Sequence, residues 1–261
     1  MKKKKDYVLT LACDTNYVSE AKALISSAIR QGKWMYDICL IANDLEENII
    51  KEFTDLGVYV KNVDSSEHSY HIKYHLFTDY FKDWVKVLYV DCDIMFSEDI
   101  NFLMSLDGKI LCDGEANKVS DFFERDRDVS VFDEMSSTYD VDKFGFNSGC
   151  MLFETSLITS NTFNDLHQLR EKYLKINYHT GIEGGGDQPI LNIYFNDWVQ
   201  FPQKVVSFWK KCDQTTRIFH FTRWFTPEKN PSWLPFSQHG IIKDLYKSNL
   251  DNFKTLKLHN E

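Results

Sequence analysis

Two carboxylates one residue apart, Asp91 and Asp93, follow directly on the apolar run VKVLYV. On an extended segment, side chains at i and i+2 point to one side, so both can share one hard divalent cation whose other positions are filled by water and phosphate oxygens. A buried carboxylate pair without a cation would carry strong repulsion. The same spacing recurs at Asp126/Asp128 and Asp140/Asp142, and with 39 acidic residues in the chain spacing alone decides nothing. Context does separate them. Only Asp91 and Asp93 end an apolar strand, at the carboxyl edge of a parallel sheet where open α/β folds bind ligands. A second candidate is Gly184-Gly185-Gly186-Asp187-Gln188-Pro189, which opens an apolar helix. Its glycines would let backbone approach a ligand, and a plain tight turn with Asp187 as helix cap explains the same residues. It is neither a G-x-G-x-x-G fingerprint nor a Walker loop. Phe219-His220-Phe221 places one histidine between aromatic neighbours, a setting more often structural than ligating.

The elements that must position these groups alternate in the first hundred residues. Tyr7–Ala12, Tyr36–Ala42 and Val58–Val63 read as strands, with helices over Ser19–Gln31, capped by Ser19, and Glu46–Asp55 between them. That β-α-β-α-β order is a nucleotide-binding half and predicts an α/β fold with a mostly parallel central sheet flanked by helices. A helix from about His71 to Phe81 and a strand Lys86–Val90 lead into Asp91. Beyond it, Lys109–Cys112 and Cys150–Glu154 read as strands, Ala116–Asp142 as irregular, and Ser160–Lys175 and Pro189–Asn196 as helices. A final helix over Ile241–Leu256 has apolar residues at helical spacing.

Composition bounds the function. A chain of 261 residues with 43% hydrophobic and 26% charged residues suits one enzyme-sized domain, and 11 Gly and 5 Pro argue against long linkers. A net charge of −9 with no local basic patch excludes general binding of a nucleic-acid polymer, though not of a single nucleotide. Six scattered cysteines without a C-x-x-C pair read as reduced core thiols and, with no stretch apolar enough to span a membrane, point to a cytoplasmic setting. The lysines after Met1 read as a solvated basic tail before the first strand.

Taken in order, these segments resemble glycosyltransferase family 8, the glycogenin-like retaining enzymes, from about Tyr7 to Trp233. TLACDTNY resembles the family's opening strand and nucleoside turn, LYVDCDIMF its metal-binding D-x-D block, FNSGCMLFE (Phe146–Glu154) its F-N-S-G strand, GGDQPILN (Gly185–Asn192) its G-G-D-Q segment, and Phe219–Phe221 the start of its H-F-x-G block. Five ordered matches are far more specific than one. The resemblance implies a single GT-A-type, Rossmann-like domain over the chain, with a nucleotide-binding half over roughly residues 6–113 and a sugar and acceptor half over roughly 114–261. It further implies that Asp91, Asp93 and His220 hold Mn²⁺ or Mg²⁺, with Cys92 in the same donor-binding block; oxygen ligands plus one imidazole suit Mn²⁺ better than Ca²⁺. The ion would clamp the diphosphate of a UDP-sugar. Leu11, Cys13, Asp14 and Tyr17 correspond to the uridine pocket, and Lys86 to the lysine upstream of the metal block. Lys73 matches a second family lysine if a short insertion near Asp83–Trp84 is accepted. Sugar-contacting positions map to Asp113, Asn147, Ser148, Asp187 and Gln188, with Asp187 and Gln188 at the reacting centre.

The chain also departs from the pattern. After His220 it reads HFTRWFTPEKNPSW, so Thr222 replaces the family glycine and Thr226 stands at the phosphate lysine, leaving Arg223 or Lys229 to supply that charge. Gly184 replaces an aspartate of glycogenin itself, and Asp121–Asp142 has no clear counterpart; it shapes either an acceptor site or a surface loop. The expected activity is metal-dependent, retaining transfer of glucose, galactose or N-acetylglucosamine from a UDP-sugar to a glycan or protein acceptor, including the enzyme itself, by a possible homodimer. The competing readings are a non-catalytic module binding a sugar nucleotide or glycan, and a metal phosphohydrolase, which would need a G-D-x-x-x-D segment that is not present.

Overall fold

In a computed structural model the protein is described over residues 4–63, 69–177, 186–202, 206–208, 217–220 and 236–256. The strands are β1 (Lys5–Cys13), β2 (Asp37–Asn43), β3 (Tyr59–Val63), β4 (Trp84–Val90), β5 (Ile94–Phe96), β6 (Ile110–Lys118), β7 (Phe144–Glu154), β8 (Val199–Gln200), β9 (Val206–Phe208) and β10 (Ile218–His220). The helices are α1 (Val18–Arg30), α2 (Glu47–Thr54), α3 (Val129–Thr138), α4 (Thr162–Tyr173), α5 (Asp187–Tyr194) and α6 (Phe236–Asn252). Seven strands form one sheet in the order β3-β2-β1-β4-β7-β6-β8, and β5-β10-β9 form a second. β1 runs parallel to β2, β2 to β3 and β6 to β8, whereas β6 and β7 are antiparallel. The mostly parallel α/β sheet expected from the alternating pattern is therefore present.

The chain divides into two compact units. One comprises Met1–Asp6, Ser66–Val87 and Gly108–Phe201, the other Tyr7–Ser65, Leu88–Asp107 and Pro202–Glu261. In the second unit, Val8 to Leu11 and Ile38 to Ala42 are all buried, as expected of parallel strands covered on both faces. Ala23 of α1, Met95 of β5 and Tyr246 of α6 form one apolar cluster, with Phe219 of β10, Leu245 and Leu250 packed on it. Two polar ties reinforce that layer: the Ser26 hydroxyl donates to Asn249 Oδ1 at 3.1 Å, and Arg30 donates to the Ser248 carbonyl at 3.2 Å. Strands β5 and β10 are thus backed by two helices, which matters because each adjoins a metal-ligand candidate.

In the other unit β6 and β7 pair with register shifts: Cys112 faces Met151, yet the next residue, Asp113, faces Asn147. Extra residues on β7 make a bulge there, a device that re-aims side chains beside functional sites. The strand expected over Lys109–Cys112 extends to Lys118, and the region expected to be irregular, Ala116–Asp142, contains α3. Asp128 caps that helix, accepting from the Val131 amide at 3.3 Å, and its carboxyl is held below the usual range chiefly by the Ser130 hydroxyl. The helix expected over His71–Phe81 is instead two 3-10 runs, Ser69–Phe77 and Asp79–Asp83, separated by extended Thr78. Ile72, Tyr74, Leu76 and Phe77 are buried while Lys73 and His75 are half-buried. Nor are all the N-terminal lysines a free tail. Lys4 donates to the Thr155 hydroxyl at 3.0 Å, and the Lys5 ammonium sits 5.0 Å from the Trp84 ring centroid.

Cys13, Cys39, Cys92, Cys112 and Cys150 are free thiols with at most 6% exposure; Cys212 lies outside the described residues. Burial, foremost, pushes the Cys112 thiol well up. A thiol reagent applied to the native protein is accordingly expected to label at most one cysteine per chain by mass spectrometry, against six after denaturation. Two or more native labels would contradict the buried-thiol arrangement. Among the described residues no helix is long and apolar enough to cross a membrane.

Candidate active-site residues

In the unit that holds β1, β4 delivers the chain to Asp91, Cys92 and Asp93, and β5 begins one residue later. β5 pairs antiparallel with β10, setting Ile94 opposite His220. That pairing brings together groups nearly half the chain apart: one ligand atom each from Asp91, Asp93 and His220 lies within 4.8 Å of the others. His220 is buried and its Nε2 is 3.3 Å from Asp93 Oδ1. The Tyr89 hydroxyl donates to Asp91 Oδ1 at 2.6 Å, which fixes the carboxylate's orientation. Two carboxylate oxygens and one imidazole nitrogen are a donor set for a borderline-hard divalent ion, so these residues fit the expected metal. Cys92 is turned elsewhere, its thiol donating to the Ala12 carbonyl at 3.0 Å. Its hydrogen bond with Cys13, then burial and the negative charges of Asp91 and Asp93, push that thiol well up, so it stays neutral.

The residues matched to a nucleoside pocket lie at the end of β1 and in the turn that follows it, in the same unit. Asp14 caps the 3-10 turn Thr15–Tyr17, its Oδ1 accepting from the Asn16 amide at 2.8 Å, and Tyr17 is half-buried at the end of that turn. The Cys13 thiol donates to the Asp14 carbonyl at 3.0 Å. Leu11 is wholly enclosed in β1, so it can shape a pocket by packing alone.

A second constellation lies entirely in the unit that holds β6 and β7. The 3-10 run Ser69–Phe77 presents Lys73, whose Nζ is 3.0 Å from Asp187 Oδ2 and 3.1 Å from Ser148 Oγ. The Ser148 hydroxyl donates to the same Asp187 oxygen at 2.7 Å. Both contacts fall on Oδ2, and among the described residues no hydrogen bond reaches Oδ1. Asp187 and Gln188 open α5, each at most 6% exposed, and the Ser148 amide donates to Gln188 Oε1 at 3.1 Å. Tyr74 is buried beside this group; burial first and the Asp187 charge second hold its phenol far above the usual range, hence neutral.

At the bulge, Asn147 Nδ2 donates to Glu115 Oε1 at 3.0 Å and its Oδ1 accepts from the Gly149 amide at 2.8 Å. Asp113 Oδ1 accepts from Gln200 Nε2 at 3.0 Å, while Gln200 Oε1 takes the Gly114 amide at 2.7 Å. The structure therefore brings Lys73, Asp187, Ser148 and Gln188 together, and pairs Asp113 and Asn147 across two strands. Lys86 sits half-buried within β4, five residues before Asp91. Arg223 and Lys229, with Gly184, Gly185, Thr222 and Thr226, lie outside the described residues. Tyr89, Glu115 and Gln200 were missed by sequence reasoning. Tyr89 and Glu115 each stand two residues along a strand from a selected aspartate, a spacing that shares a face; Gln200 has no local signal.

Residues 8–209 match the family described as Glycosyl transferase family 8. No curated protein sequence matches the chain. Among solved structures, the galactosyltransferase LgtC, in complex with donor and acceptor sugar analogs, is 13% identical with a TM-score of 0.64, covering 92% of this chain and 95% of LgtC. GlyE, a glycosyltransferase of Streptococcus pneumoniae TIGR4, is 15% identical with a TM-score of 0.62, over 98% of this chain and 67% of its own. The bifunctional glycosyltransferase WbbM is 14% identical with a TM-score of 0.62, and although 95% of this chain is covered, the match spans only 50% of WbbM. At such identities these structures speak to the fold, and the family match, which spans more than half of the sequence, speaks to descent. The chain belongs to glycosyl transferase family 8.

Proposed function

We propose that the protein is a metal-dependent retaining glycosyltransferase that moves a hexose from a UDP-sugar to a glycan or protein acceptor. The observation that carries this reading is the convergence of Asp91, Asp93 and His220 beyond the end of β4, in a chain of this family. A divalent ion such as Mn²⁺ bound there would neutralise the negative charge that collects on the diphosphate as it departs. The residues after β1 supply the nucleoside contacts in this reading, with Tyr17 as a stacking face and Asp14 as an acceptor for base or ribose donors.

In the transfer itself the bond between the anomeric carbon and the diphosphate oxygen breaks, the acceptor oxygen bonds to that carbon, and the acceptor's proton passes to the departing phosphate oxygen. An oxocarbenium-like transition state gains from nearby fixed negative charge. Asp187 can supply that charge: Lys73 and Ser148 both hold its Oδ2, and Oδ1 is the oxygen offered to the sugar in this reading. Two donors on the carboxylate also lower its nucleophilicity, which favours same-face attack by the acceptor over a covalent intermediate on Asp187. Asp113 and Asn147 offer polar groups that read sugar hydroxyls. Five buried free thiols fit a reducing, cytoplasmic setting.

The test is UDP release from a panel of UDP-hexoses with Mn²⁺, repeated with a chelator. Release from one donor that the chelator abolishes is the expected result. A melting temperature raised by UDP and Mn²⁺ together, with no turnover on any donor and acceptor, would instead mark a binding protein. Neither turnover nor a melting shift would overturn the reading.

A further inference from the structure

Asn192 touches none of the residues assigned to the ligands through its own side chain except at the Gln188 backbone, yet it holds the helix that carries two of them. It lies on α5, one turn after Gln188, and is 1% exposed. Its Oδ1 accepts from the Phe146 amide at 2.7 Å, and its Nδ2 donates to the Phe146 carbonyl at 2.9 Å and to the Gln188 carbonyl at 2.9 Å. The carboxamide thus treats residue 146 of β7 as a neighbouring strand would, donating to and accepting from one backbone unit. At the same time it grips the first turn of its own helix. A second rung, from the Ser148 amide to Gln188 Oε1, lies two residues further along β7. Gly145 makes room for the seam: a Cβ there would run into the Phe122 ring and come within 3.0 Å of Asn192 Oδ1.

We propose that Asn192 is a positioning residue that locks the register of α5 against β7 and so sets the geometry of Asp187, Gln188 and Ser148. The assignment of those three to the sugar rests on the functional reading above; the lock itself does not. Only a side chain with an acceptor and a donor at the same reach can satisfy this arrangement. Aspartate keeps the size and one accepted bond, but sets a carboxylate oxygen against two carbonyls. Because Asn192 itself makes no ligand contact and the metal and nucleoside residues lie on other elements, most donor affinity is preserved, while a small displacement of the sugar-contacting groups at the reacting centre lowers turnover.

The experiment compares the wild type with Asn192→Asp in two ways. Amide hydrogen exchange is expected to accelerate at Ser148 by about tenfold or more, with Leu40 of β2 unchanged as an internal reference. Steady-state kinetics are expected to show kcat lowered about 10²-fold with donor KM within about threefold. Ser148 exchange equal to wild type would overturn the lock, and so would unchanged kcat in an active enzyme. A wild type without turnover would count against the functional reading alone, since exchange still decides the positioning. Should Asn192→Asp fail to fold, Asn192→Ser, which loses at least one of the three bonds without adding charge, is put to the same two measurements.

Discussion

Replacing Asp93 by asparagine is expected to lower metal-dependent donor turnover by at least about 10²-fold while leaving the protein folded. The two consequences have opposite signs and one cause. Asp91 and Asp93 bring two carboxylates within 4.8 Å of each other, so in the metal-free protein they repel. Asparagine is nearly isosteric and removes that repulsion, so the metal-free variant should melt at or above the wild-type temperature. The same change removes the charge that attracts a divalent ion. The rise in melting temperature on adding Mn²⁺ with UDP should therefore shrink or vanish in the variant. Thermal melts with and without the ion, beside a UDP-release assay, read both effects. Full activity in Asp93→Asn would remove these residues from the metal site.

Lys73→Met is expected to cost about 3–5 kcal/mol of stability and to abolish turnover. The Lys73–Asp187 pair is well shielded, with side-chain exposures of 12% and 8%, so removing the ammonium strands a carboxylate that, among the described residues, retains the Ser148 hydroxyl as its donor. The penalty comes from the partner left behind more than from the attraction lost. A second substitution that neutralises the partner should then recover much of it: Lys73→Met/Asp187→Asn should be more stable than the sum of its singles by about 1–3 kcal/mol, yet remain inactive. Denaturant unfolding of the four proteins closes the cycle. A double variant as unstable as the summed singles would mean that the pair does not act as a unit.

The parts of this site legible in the sequence are those whose signal is local. An apolar run that ends on two aspartates reveals both the strand and its carboxyl edge, and β4 with Asp91 and Asp93 conforms. The other two acid pairs have ordinary work: Asp128 caps α3, and Asp142 sits 2.9 Å from Lys118. His220 is different. Nothing in Phe219-His220-Phe221 tells a ligand from a structural histidine, and only the order of landmarks along the chain singled it out. Lys73 was placed on one continuous helix, whereas the segment folds as two short 3-10 runs broken at extended Thr78, a break with no signal in the residues themselves. The β6–β7 bulge escaped notice because register belongs to a pair of strands and cannot be read from either alone. The ties made by Gln200 and Asn192 escaped for the same reason, since each acts through a partner on another element.

One consequence of the β5–β10 pairing concerns order in time. Asp91 and Asp93 precede His220 by nearly half the chain, and β10 is a three-residue strand whose partners are β5 and β9. Closing so long an excursion for so short a ladder is entropically expensive, so this pairing belongs among the late steps of folding. A nascent polypeptide that has emerged only as far as β8 owns both aspartates but not the His220 imidazole. In the metal-dependent reading, a complete three-residue ion site would therefore form only after His220 has been made and β10 has paired with β5, and a shorter nascent chain would offer the two aspartates alone.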